Sequence, residues 1–562
     1  MKLVRGLFFT LCFLVITQVA LGATPIIAVE ELRPGMRGYG KTVISGATIE
    51  TFQVEVLGVT GSTTMGHNIL IKASGPLLKR SGGIAQGMSG SPVYIEGRLA
   101  GAVAFGQAFS DPNYCFLTPI NEMLKLFDRT DPRPSVFIPK NTPLMTSGFT
   151  TEGLSYLNEQ LKPFNLVSYA APTGQGDFSS VQLEPGSSIG VELVRGDITL
   201  GAIGTVTWMD DTGKVLAFGH PFMQRGESDY FMTNAWIFAS VPNMQSAFKV
   251  GALGKSLGNI IQDRSSGIAG VVGGNSKIIP MYVSVTDKDR GQHKSSSVQL
   301  VTDENLAPAL VDSVCYNTLV KTADRKGGGT SRMSFTISAR GEKEGEIHLK
   351  RDNMFSSTTD IGRATDSELQ YACKMLLNNR FDKVTIFDIN VDAEISSDYE
   401  VAEIVSASLP QRKVHQGQEL PIEVTFKPYR SKNITKKFNF KVPAKQAIGP
   451  MQLIVRSGNS TGWLRTALQN MKTTEEEQVQ LLTQKRTFKD FLQEFNDADS
   501  NNEIVVDIIS AGSGRATTVS SAETATSGGL RQLLKGSRYK QKYPMDFIST
   551  GEVSLNVEVV SR

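Results

Sequence analysis

The eleven residues Gly82 to Pro92 read Gly-Gly-Ile-Ala-Gln-Gly-Met-Ser-Gly-Ser-Pro, and this run holds the residue types best suited to chemistry in the chain. Ser89 stands between a glycine-containing approach and a glycine, with a small residue and a proline after it. Acyl transfer to a serine needs a tight turn that presents Oγ to a carbonyl carbon and aims backbone N–H groups at the oxygen that becomes negative. Glycines admit positive φ and a close backbone approach, so Ser89 reads as a nucleophile and the N–H groups of Gly87 and Ser89 as an oxyanion hole. The competing reading of the same loop is a glycine-rich hairpin corner. A serine nucleophile also needs a base. His220, in Phe218-Gly-His-Pro-Phe222, is a single imidazole whose backbone is fixed by glycine and proline. A neutral histidine there can accept the serine proton and return it to a leaving group; the alternative is a turn histidine packed between aromatics. His67, in Thr64-Met-Gly-His-Asn68, is the rival base, and His293, His348 and His415 lie in polar or loop contexts that read as surface.

These groups must be carried by β structure. Residues 26–130 form short strand-like runs such as 51–60 and 92–105, separated by Gly, Ser and Pro turns, with a short amphipathic stretch, 120–127, closing the segment. Residues 136–189 read as a connector around one helical candidate, 151–161. The β pattern resumes from 190 to about 300, with turns at Asp210-Asp211-Thr-Gly213 and Gly273-Gly274-Asn275. The expected division is therefore 23–135 for the half with the serine, 136–189 for the connector and 190–300 for the half with the histidine. Beyond these, 301–395 reads as an α/β region, 396–460 as a small β-sandwich-like module and 461–562 as a C-terminal α/β region. Within 366–379, Leu369, Ala372, Cys373 and Leu376 follow a helical stripe and read as core. Thr474-x-x-Glu477 reads as a capping box opening a helix, Phe488, Phe491, Leu492 and Phe495 as helical core, and 510–529 as a surface loop.

The serine loop, followed by Val93-Tyr94-Ile95, a Glu96-Gly97 turn and Arg98-Leu-Ala-Gly-Ala-Val103, resembles the SpoIVB family of serine peptidases. So do Asp111-Pro112 and Thr118-Pro-Ile-Asn-Glu-Met-Leu124. Gly201-Ala-Ile-Gly-Thr-Val-Thr-Trp208 with Val215-Leu-Ala-Phe-Gly-His-Pro-Phe222 is similar to that family's catalytic-histidine segment, and Leu257-Gly-Asn-Ile-Ile-Gln-Asp-Arg264 with Gly267-Ile-Ala-Gly270 to its glycine-punctuated strands. The resemblance implies a chymotrypsin-like double β-barrel and a serine endopeptidase of restricted specificity, acting on protein partners in the cell envelope. Two departures stand out. The serine half here precedes the histidine half, a permuted order, which a triad defined by geometry tolerates. The family's aspartate, about fifteen residues ahead of the nucleophile, is replaced by Ser74. For the orienting acid Asp229 is the first candidate and Asp263 the second, with a dyad as the third option. Ser74 also favours an alternative of a different class, a catalytically inactive peptidase fold that binds peptides as a scaffold.

The remaining composition bounds the setting. Lys2 and Arg5 precede an apolar run, 7–20, which ends in small residues: a secretory signal peptide over 1–22, with a retained anchor as the alternative, and an exported chain, periplasmic or extracellular. No later apolar run is long enough to span a membrane. With 562 residues, 40% hydrophobic and 20% charged, the chain can build several cored domains. A formal net charge of +3 makes no case for nucleic acid, and the basic clusters 432–437 and 531–542 read as solvated faces. Cys115, Cys315 and Cys373 are too few for a disulfide framework, leaving at most one bridge, Cys115 to Cys315. No metal motif or cofactor loop is present, so none is expected.

Overall fold

The strand nearest the expected core shows how the first half forms. In Ile49–Ser62 the side chains of Phe52, Val54 and Val56 are buried while Thr51 and Gln53 face solvent, the two-residue period of a strand with one wet face. This is a computed structural model describing residues 24–62, 66–106, 110–128, 143–171, 176–243, 247–458, 487–509 and 539–561. The signal peptide, the Thr474 capping box and the 510–529 loop lie outside the described residues.

Six strands, β1 (Arg37–Val43), β2 (Ile49–Ser62), β3 (Gly66–Ser74), β4 (Pro92–Ile95), β5 (Arg98–Phe105) and β6 (Tyr114–Pro119), close into a barrel in the order β1-β2-β3-β6-β5-β4. A helix, α1 (Pro76–Ser81), leads from β3 into the serine loop, and a short one, α2 (Ile120–Leu124), follows β6. α1 ends on Gly82 in the left-handed region, φ 76°, where a side chain would be strained. The barrel is filled by Ile69, Ile71, Val93, Ile95, Cys115 and Leu117, with Met88 of the serine loop driven into the same core.

The second half is built from β7 (Leu144–Ser147), β8 (Ser168–Ala170), β9 (Ser188–Gly196), β10 (Thr199–Met209), β11 (Lys214–Ala217), β12 (Gly226–Val241), β13 (Phe248–Arg264) and β14 (Gly267–Val272). The antiparallel pairing runs β9-β12-β13-β14-β11-β10, and β9 also pairs with β10, so these six strands form a second ring. Two rings of six strands are compatible with the expected double β-barrel, and strands make up 53% of the described residues against 17% helix.

The second ring does not stop at its own edge. β9 also pairs with β16 (Gln292–Leu300), which pairs with β15 (Ile279–Asp287), and β15 runs parallel to β19 (Val384–Ser396) beside β17 (Gly329–Gly341) and β18 (Gly345–Ser357). β7 joins the other side through β10 and is followed by α3 (Thr151–Leu161), so the segment expected as a connector supplies sheet and helix. α4 (Ala307–Ala323) is buried on nearly every side, beneath β15 and β16 and between α3 and α5 (Ile361–Leu377). The α5 stripe Leu369, Ala372, Cys373 and Leu376 is fully buried, as its spacing predicts. All three described cysteines are buried and none forms a disulfide: Cys115 belongs to the first barrel's core and Cys315 to that around α4, which rules out the bridge left open above.

The C-terminal strands form a four-stranded and a five-stranded sheet sharing one core, drawn from 401–457 and again from 503–560. The sandwich expected over 396–460 thus receives its remaining strands from the segment expected as α/β. The helix Phe488–Asn496 buries Phe488 and Phe495 against the preceding α/β region, which fits the core reading of those aromatics. No helix among the described residues is long and apolar enough to cross a membrane.

Candidate active site

The serine loop leaves the barrel and is held by the second half. Thr205 N–H donates to Ser89 O (2.9 Å), and the hydroxyls of Thr205 and Thr207, both on β10, donate to Gly87 O (3.0 Å) and Gly90 O (2.7 Å). On the other side Gln86 N–H donates to Ala247 O (2.7 Å) and Lys249 N–H to Gln86 O (2.9 Å), a short bridge to the start of β13. Gly87 and Gly90 have φ of 90° and 92°. Gly90 is also pressed so closely on β10 that a Cβ there would overlap the Thr205 carbonyl oxygen and come within 2.5 Å of Phe218 N.

This clamping sorts the loop's amides. Met88 N–H donates to Ala85 O and Gly90 N–H to Val103 O (2.7 Å). Among the described residues the N–H groups of Gly87 and Ser89 donate to nothing, and Ser89 Oγ has no partner either. A loop that satisfies its structural amides and leaves two alternate ones unspent, beside a half-buried hydroxyl, has the form of an oxyanion hole.

His220 lies on the turn after β11, where Phe218 and Gly219 both take φ of 68°. Gly219 sits against β5, a Cβ there being 3.0 Å from Val103 O, the same carbonyl that accepts from Gly90 N–H. Thr118 Oγ1 of β6 donates to Gly219 O (2.5 Å). The residues beside Ser89 and His220 therefore converge on one carbonyl of β5. The imidazole is 0% exposed, with Phe105 and Phe218 beside it. Its Nδ1 is 2.7 Å from Pro221 O. A carbonyl can only accept, so that contact places the proton on Nδ1 and leaves Nε2 as the bare lone pair, which is buried and unpartnered. Burial pushes the imidazole pKa down to about 4, against a smaller upward pull from the Pro221 carbonyl, so the ring is neutral at neutral pH. No hydrogen bond joins it to Ser89 Oγ in this conformation.

Neither candidate acid is on the imidazole. The Asp229 carboxylate accepts from Asn259 Nδ2 (3.2 Å) and Lys277 N–H (2.8 Å), since its strand turns it toward β13 and the segment after β14. Asp263, fully buried, accepts from the N–H groups of Phe222 and Met223 (2.7 Å each) and of Arg225 (3.4 Å). Burial pushes its carboxyl up and those amides pull it back. Asp263 is a brace for the backbone that follows His220. His67 lies on β3 opposite Gly61, with no hydrogen bond or ring contact to the serine loop, and Ser74 is exposed at the end of β3. His293, His348 and His415 are exposed.

Residues 14–124 match the family model of SpoIVB peptidase S55. The match bears out the resemblance to a family of serine peptidases; it takes in Ser89 and the loop amides and ends before His220. No curated protein matches the chain, and no solved structure does.

Asp263→Ala is expected to lower unfolding stability by about 2–4 kcal/mol, because the N–H groups of Phe222, Met223 and Arg225 lose their fully buried carboxyl acceptor. Asp229→Asn, at a half-exposed position of β12, is expected to stay within about 1 kcal/mol of the parent. Urea unfolding of the two variants side by side checks this, and equal losses would contradict the assignment. Sequence reasoning missed Thr205, Thr207 and Lys249. The last shares strand parity with buried Ala247 and Gly251, a signal that lysine belongs inside, but strand alternation alone cannot say what faces it.

Proposed function

We propose that this protein is an exported serine endopeptidase of SpoIVB type, periplasmic or extracellular, that cuts protein partners in the cell envelope. In this reading its two β halves are permuted, Ser89 is the nucleophile, His220 the base, and Gly87 and Ser89 N–H the oxyanion donors. The observation that carries the reading is the pair of unspent amides on the Ser89 loop, fixed by hydrogen bonds from the half that bears His220. Once Ser89 Oγ and Nε2 are brought together, the hydroxyl proton passes to the imidazole as Oγ attacks the carbonyl carbon. The carbonyl oxygen becomes negative against the two N–H groups. The imidazolium then returns the proton to the leaving amine, and water repeats the sequence to free Ser89. The Pro221 carbonyl does what an acid does in a triad, fixing the tautomer, though without a negative charge to stabilise the imidazolium.

The second reading, a peptide-binding scaffold, is favoured by the missing carboxylate on the imidazole and the open Ser89–His220 pair. A fluorophosphonate probe separates the two. The enzyme reading expects covalent labelling of the wild type that Ser89→Ala abolishes with the fold intact. A wild type that stays unlabelled while retaining envelope peptides would transfer the case to the scaffold.

A further inference from the structure

Lys249, 2% exposed, is the one buried lysine among the described residues. Its stem runs along Gly87, where a Cβ would meet Lys249 Cβ, Cγ and Cδ at 3.1–3.2 Å. Its Nζ donates to Thr42 Oγ1 of β1 (3.2 Å) and Thr205 Oγ1 of β10 (3.3 Å), and that same Thr205 hydroxyl donates to Gly87 O. No carboxylate compensates it. The groups facing it from β1, β10 and the serine loop are Thr42, Thr205 and the Gly87 backbone, none of which titrates, and burial is the sole cause of its shift. An amine buried without a counter-ion costs stability, and a methionine of the same length would fill the space at less cost.

We propose that Lys249 is a positioning residue of the oxyanion site, whose cationic form, held behind Gly87 through Thr205, supplies positive potential to the Gly87 and Ser89 N–H groups when an oxyanion forms in front of them. This rests on the enzyme reading of the serine loop. A charge in a low-dielectric wall acts on an anion a few ångströms away without touching it. Burial brings the Lys249 pKa down to about 7, so the ammonium is present on the acid side of neutrality and lost above it, while His220 is already neutral above about pH 4.

The test is Lys249→Met in the full chain, read by fluorophosphonate labelling across pH and by thermal unfolding. Labelling is expected to fall about 10- to 100-fold at pH 6, and the loss of rate that the wild type suffers above about pH 7 is expected to vanish. The variant is expected to melt higher by roughly 2–4 °C or more. The sign follows from linkage. The folded state has the lower lysine pKa, so between about pH 7 and 10.5 the unfolded chain binds more protons and wild-type stability rises with pH, making the variant's advantage largest at or below pH 7 and smaller toward pH 10. A purely structural lysine would instead lose stability and labelling together on substitution, which overturns the proposal. Complete loss of labelling in Lys249→Met with retention in His220→Ala also overturns it, making the lysine the base. A wild type that never labels sinks the enzyme reading, whereas the melting comparison still reports on the buried amine.

Discussion

His220→Ala is expected to lower hydrolysis, or the rate of probe labelling, by on the order of 10⁴- to 10⁶-fold, the scale seen when the base is removed from other serine peptidases. The expectation is large because the site offers Ser89 no other described acceptor: Nε2 is the unpartnered lone pair, its tautomer set by Pro221, and no carboxylate stands in reserve. His67→Ala is the control and is expected to leave the rate unchanged. A His220→Ala protein that keeps a tenth of the wild-type rate would remove His220 from the mechanism. The same ring marks stability. Its folded pKa of about 4 lies below the ordinary value near 6.5, so the unfolded chain takes up a proton first and stability falls as pH drops from about 6.5 to 4. The alanine variant should lack that part of the acid sensitivity.

Gly90→Ala is expected to be strongly damaging to both fold and site. Its φ of 92° strains any side chain, and the added Cβ lands on the Thr205 carbonyl and the Phe218 amide, backbone atoms that cannot rotate away. The joint between the halves must open, with a cost of about 3 kcal/mol or more and loss of labelling although Ser89 is untouched. Gly97→Ala is the matched comparison: φ is 75°, but nothing lies within 4 Å of its Cβ, so only the conformational cost of about 1 kcal/mol is expected. Denaturant unfolding with parallel labelling measures both. Equal behaviour of the two variants would mean that the Ser89 loop does not depend on its packing against β10.

The parts of this molecule legible in the sequence are those fixed by local chemistry. The period of Phe52, Val54 and Val56, the glycines around Ser89 and the stripe through Cys373 each act within a few residues, and each appears in the structure in the form expected. What escaped depends on distant partners. Nothing near Ser188 announces that β9 will pair with β10, β12 and β16 at once, so the halves looked separable from the α/β region. The 401–457 sandwich needs strands from beyond residue 503, which no local pattern reveals. Asp229 is attractive in sequence for its distance from His220 along the chain, but strand geometry sends its carboxylate to Asn259 and Lys277. Asp263, the second candidate for the acid, instead braces the backbone after His220.

The direction in which the clamps cross the molecule also orders its biosynthesis. A chain leaves the ribosome amino end first, so β1 to β6 can close once Pro119 is free, before the strands of the second ring exist. Among the described residues, however, the hydrogen bonds that fix the Ser89 loop from the second half involve Thr205, Thr207, Ala247 and Lys249. Until those strands arrive, the nascent barrel carries Ser89 on a loop that nothing from the second half has fixed. On the proposed enzyme reading, hydrolytic competence would be acquired only when the second ring docks, which would keep the emerging chain from attacking itself.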